Sequence, residues 1–121
     1  MDAVATLQAF LHRSAADRCE RVAAHEARLR ATLPALVERL YALGAERVWL
    51  FGSLAHGDVH ERSDIDLAVE GLRPGTFFDA YADLLDAAEA RVDLVDLSTA
   101  PPSLREHILA SGRALSRAEA P

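Results

Sequence analysis

The hydrophobic period of this chain first changes at Gly44. Before it, apolar residues recur at helical spacing; after it, three short runs alternate every second residue. That switch constrains the fold most, because a 3.6-residue stripe and a two-residue alternation bury their faces in different elements. Arg47-Val48-Trp49-Leu50-Phe51 is rich in strand formers and stops at Gly52-Ser53. In the second run Ile65, Leu67 and Val69 share one face and Asp66 takes the other. In the third, Val92 and Leu94 lie opposite Asp93, Val95 and Leu97. Phe77, Phe78, Tyr81, Leu84 and Leu85 mark a helix after Pro74-Gly75, its aromatics read as packing on the sheet. Leu104, Ile108 and Leu109, followed by Gly112, mark a last short helix, and the tail from Ser116 is expected to fray. Gly57, Asp58, His60 and Ser63 make the segment 54–63 a loop.

The first 44 residues read as two helices. Val4, Leu7 and Leu11 begin one, and Ser14 with Asp17 gives a capping pattern for another. Leu33, Leu36, Val37, Leu40 and Leu43 form an apolar stripe, with Pro34 expected to restart the helix behind a Thr32 cap and Gly44 to stop it. The expected order is α-α-β-β-α-β-α. The fold class is α/β (α+β), a small mixed sheet with helices packed against it. At 121 residues, one domain over 1–121 is expected, with 1–32 as a helical N-terminal extension.

Composition removes several function classes. Half the residues are hydrophobic and 26% are charged, a globular balance. No run approaches the about 18 apolar residues of a membrane span, and Met1-Asp2-Ala3-Val4 lacks the basic start of a signal peptide. The single cysteine, Cys19, rules out an internal disulfide, and a cytoplasmic home follows most simply. All 13 basic residues are arginine. Residues 1–44 carry six Arg against five acids, and residues 45–121 seven Arg against fourteen. That imbalance argues against a nucleic-acid-binding face.

The acids of the second half carry the chemistry. Asp64 and Asp66, two apart at a strand mouth, point to the same side, and Asp93 has the same relation to its own strand. If those strands are neighbours the three converge. Three packed carboxylates repel unless cations or protons intervene, and Mg²⁺ suits hard oxygen donors. Gly52-Ser53 adds backbone N–H groups free of a Cβ, and a hydroxyl, suited to phosphate.

Gly52-Ser53, ten residues from Leu54 to Ser63, then Asp64-Ile65-Asp66 resembles the signature of the minimal nucleotidyltransferases (MNT) of the DNA polymerase beta superfamily. Asp93 matches the third carboxylate of that family. The resemblance covers roughly 33–115 and implies a polymerase-beta-like nucleotidyltransferase core. It implies AMP transfer from ATP to a hydroxyl with two Mg²⁺ ions. Asp64 and Asp66 would hold the ion on the triphosphate, Asp66 and Asp93 the second, and Gly52 and Ser53 the β- and γ-phosphates. It further implies an antitoxin that AMPylates a tyrosine of a HEPN-family toxin. Transfer to a small molecule, or a non-catalytic antitoxin acting by binding, are the alternatives. A homo-oligomer is open, and residues 1–44 are read as a dimer or partner surface.

Other polar residues receive milder readings. Asp96 points away from Asp93 and is read as a strand-end cap, His56 and His60 as solvated, and Cys19 as inert. Arg62 either pairs with a phosphate or balances charge. Asp79, Asp83 and Asp86 form the wet face of their helix.

Overall fold

One unbroken helix, α1 (Ala3–Ala42), replaces the two expected ones in the computed structural model, which describes residues 2–117. Its cap is Asp2, whose carboxylate accepts from the Val4 amide at 3.0 Å. Thr32 caps nothing; its hydroxyl donates to the Arg28 carbonyl one turn back at 2.8 Å. Pro34 lies inside the helix rather than restarting it. A proline there costs about 3 kcal/mol. Five buried side chains on the same helix, Leu29, Leu33, Leu36, Val37 and Leu40, each return roughly 1.5–3 kcal/mol on burial and outweigh it. The boundary expected at residue 32 coincides with no break in α1. Gly44, at φ +105°, does end it.

The chain continues as β1 (Arg47–Phe51), α2 (Gly52–His56), β2 (Ile65–Glu70), α3 (Phe77–Ala87), β3 (Val92–Asp96), α4 (Pro102–Ser111) and β4 (Arg113–Leu115). The sheet order is β3-β2-β1-β4. β1 is antiparallel to β2 and β4, while β2 and β3 run parallel, so the sheet is mixed. β4 was not expected: it is three residues long and exists by pairing Val48, Trp49 and Leu50 of β1 with Leu115, Ala114 and Arg113.

Alternation sorts the strands onto two cores. Val48, Leu50, Ile65, Leu67, Val69, Val92 and Leu94 pack with α1 and with Ala80 and Leu84 of α3. Trp49, Ala68 and Leu97 pack with Ile108 of α4 on the other face, joined by Phe51 and Val95. Helices therefore cover both faces, but the short α4 covers its side only in part. Phe77 and Tyr81 pack on the larger core. Phe78 does not, and is 78% exposed, correcting its reading as a packing residue.

Candidate active site

Parallel register places Asp66 of β2 directly opposite Asp93 of β3. Both point to the face that carries Trp49 and Ala68, beyond the part that α4 covers. Burial first, then the neighbouring Asp93 and Asp64 carboxylates, push the Asp66 carboxyl up to about 6 from 3.8. Like charges so close share a proton, and a divalent cation does the same work without one.

Asp64 stands slightly apart. Its charge is felt at Asp66, but its Oδ2 lies 3.7 Å from the Arg91 guanidinium. Among the described residues, no three His, Cys, Asp or Glu side chains are already spaced around one metal position. The convergence expected from the sequence is closest for Asp66 and Asp93, with Asp64 adjoining. Hard carboxylate oxygens, one of them proton-poised, are a donor set that fits Mg²⁺.

Gly52 binds the two halves of the site together. It has φ +74°, and a Cβ built on it would overlap Asp66 Oδ2. Only glycine lets the turn after β1 lie directly on this carboxylate. Phe51, one residue earlier, is paired across the sheet with Asp66. Ser53 follows on α2, and its hydroxyl donates to Ser63 Oγ at 2.9 Å.

Ser63 is the residue sequence reasoning passed over as mere loop. It is 5% exposed, the one buried polar residue among those described. Its hydroxyl accepts from Ser53 and from the His60 amide at 2.8 Å, and its carbonyl lies 2.7 Å from His25 Nε2. Loop and turn are thus latched to each other and to α1. Its position one residue before Asp64 was the available signal. Tyr81 was also underread: its phenol donates to the Val92 carbonyl at 3.1 Å and to Asp93 Oδ1 at 3.3 Å. Burial and the Asp93 charge raise its pKa above the ordinary phenol value.

Asp96, His56 and His60 stand as expected, while Asp83 of the expected wet face pairs with Arg39 of α1 at 2.9 Å. Asp96 Oδ1 accepts from the Ser98 amide at 2.9 Å and hydroxyl at 2.7 Å, capping the strand end. His56 and His60 are exposed, and His60 Nδ1 accepts from the Arg62 amide. Cys19 is exposed on α1, away from these groups.

A mixed sheet with a glycine-serine turn laid on paired strand carboxylates is the frame of a nucleotidyl-transferring domain. The family described as polymerase beta, nucleotidyltransferase matches residues 43–120, and the chain belongs to it. That family's chemistry takes a nucleotide substrate. The protein adenylyltransferase MntA of Shewanella oneidensis is 35% identical over 71 residues, 56% of this chain and 51% of that protein. The chain therefore aligns with about half the length of that relative. A chain from the crystal structure of a toxin-antitoxin with AMP-PNP superposes with TM-score 0.58 and 30% identity, covering 66% of this chain and 68% of that one. A chain from the complex of tri-AMPylated Shewanella oneidensis HEPN toxin with MNT antitoxin gives TM-score 0.57 and 25% identity, over 73% and 71%. Among the described residues no helix is long and apolar enough to cross a membrane.

Proposed function

We propose that this chain transfers AMP from ATP to a tyrosine hydroxyl of a HEPN-type helical partner, acting as an antitoxin by AMPylation. The observation that carries the reading is the seating of Gly52 on Asp66, with Asp93 opposite, which makes the phosphate-binding turn and the carboxylate pair one unit. The similarity to a protein adenylyltransferase, and to chains from toxin-antitoxin complexes, supports the acceptor.

In this reading Gly52 and Ser53 hold the β- and γ-phosphates through backbone N–H groups and the Ser53 hydroxyl. Asp64 and Asp66 would hold one Mg²⁺, and Asp66 with Asp93 a second. Bound Mg²⁺ supplies charge neutralisation of the triphosphate and a lowered pKa for the acceptor hydroxyl. Ser63 keeps the Ser53 hydroxyl in place, and Tyr81 fixes one Asp93 oxygen so that the other faces the site. The new phosphorus–oxygen bond forms at the α-phosphate as the bond to the β-phosphate bridging oxygen breaks, pyrophosphate leaves, and the acceptor hydroxyl's proton passes to solvent. ATP as the donor fits a cytoplasmic home.

The test is intact mass on the HEPN-type protein that co-purifies with this chain or is encoded beside it, incubated with ATP and Mg²⁺. One or more AMP masses should appear on the partner, and none with an Asp64→Asn, Asp66→Asn double variant. A stable complex that gains no mass with any of the four NTPs overturns transfer to that partner.

A further inference from the structure

Of the three acids read as cation ligands, one already holds a cation. Asp64 Oδ2 lies 3.7 Å from Arg91 Nε, whereas among the described residues Asp66 and Asp93 pair with no basic side chain. Asp66 and Asp93 stand opposite each other in register, and Asp64 is the acid engaged elsewhere. No three such ligands are grouped around one point among those residues.

The backbone beside this pair is fixed on both sides. The Ile65 amide donates to the Arg91 carbonyl at 3.0 Å, which ties the residue after Asp64 to the start of β3. Before Asp64, the Ser63 carbonyl lies 2.7 Å from His25 Nε2, and the Ser63 hydroxyl accepts from Ser53 and from the His60 amide. Asp64 sits between two anchored residues, so it reaches or leaves a cation by rotating its side chain. The arginine is the freer member: its side chain is 78% exposed, against 26% for the aspartate. Its charge is also felt at Tyr81, the phenol that donates to Asp93, so the guanidinium bears on the Asp93 side of the site as well.

We propose that Arg91 is a positioning residue that engages Asp64 in the unloaded protein and competes with the cation for it. This role rests on the reading of Asp64 as a Mg²⁺ ligand given above. A guanidinium and a hard divalent ion seek the same carboxylate oxygens, and an exposed pair is weak enough to exchange. Pairs of this kind shift an equilibrium by about two- to fivefold. Arg91 balances the charge of Asp64 while the site is empty, and the site gives up that factor in cation affinity.

The test counts Mn²⁺ on the full chain without nucleotide, from the electron paramagnetic resonance signal of the free ion at pH 7.5. Mn²⁺ takes the same oxygen donors as Mg²⁺. Arg91→Gln should bind the ion about two- to fivefold more tightly than the unaltered chain. Arg91→Lys keeps the charge and should stay within about 1.5-fold of it. In an Asp64→Asn background the Arg91→Gln gain should fall to less than about half, because only screened charge at a distance remains. No gain in Arg91→Gln overturns the competition, as does an equal gain in both backgrounds or a lysine variant that gains as the glutamine does. If Asp64→Asn binds Mn²⁺ as the unaltered chain does, Asp64 is no ligand and both readings of it fall. No nucleotide is transferred in this titration, so a partner that gains no AMP mass sinks the transfer reading and leaves the competition standing.

Discussion

Replacing Gly52 with alanine tests whether turn and carboxylate are one unit. The residue sits at φ +74°, where a side chain costs about 1–2 kcal/mol. The new methyl would also overlap Asp66 Oδ2 and stand 3.0 Å from its Cγ and 3.3 Å from its Cβ. Rotating the carboxylate alone does not relieve that, so Asp66 must leave its rotamer, at about 0.5–1.5 kcal/mol. Gly52→Ala should therefore destabilise the protein by about 1.5–3.5 kcal/mol in total. Urea unfolding followed by the fluorescence of Trp49, which is 7% exposed, reads this directly. Asp66→Ala removes the Oδ2 and Cγ overlap and leaves the backbone cost with one close contact to Cβ. In that background the glycine substitution should cost about 1–2 kcal/mol, a coupling of roughly 1 kcal/mol. A coupling under about 0.5 kcal/mol would show that the two residues do not press on each other and would refute the reasoning.

Four further outcomes follow from the structure. The folded Asp66 carboxyl titrates near 6 and the unfolded near 3.8, so the folded state holds the proton more tightly. Without metal, its contribution to stability is whole below pH 4 and is lost as pH rises to about 6; the stability difference from Asp66→Asn, followed by thermal melts across that window, should shift accordingly. Added Mg²⁺ should raise the melting temperature at pH 7.5 and not at pH 4.5. Ser63→Ala strands the His60 amide and frees the Ser53 hydroxyl, so it should cost about 1–2 kcal/mol in urea unfolding and raise the KM for nucleotide more than it lowers kcat. On α1, Leu29→Ala should cost about 2–4 kcal/mol while Leu11→Ala stays within about 0.5 kcal/mol, because one side chain is buried and the other stands in solvent.

Much of this site was written in short-range pattern. The alternation in 65–69 and 92–97 fixed which face Asp66 and Asp93 take, because a half-buried strand tolerates only one register of its apolar residues. The turn after Phe51 was marked by glycine. What escaped was decided by tertiary partners. β4 is too short to have a period and forms because β1 offers a free edge. Pro34 looked like a boundary, yet five buried neighbours hold the helix through it. Phe78 looked like core and is not, since α3 turns only Phe77 and Tyr81 inward. Ser63 carried no local signal of burial; its two hydrogen bonds exist only once the loop has folded back on Ser53.

The sheet topology also divides the chain into stretches that differ in how freely they can change length. Gly52, Ser53, Asp64 and Asp66 all lie on two adjacent antiparallel strands and the loop between them, within 47–70. Asp93 alone arrives from outside, through the crossover that α3 makes to the parallel strand β3. An insertion at either end of α3 can loop out into solvent and leave Asp93 where it is, so long as β3 keeps its register. An insertion between His60 and Ser63 has no such escape, because it pulls Ser63 from Ser53 and moves Asp64 with it. Relatives that vary in length should therefore do so around α3, and keep the spacing between glycine-serine turn and paired aspartates unchanged.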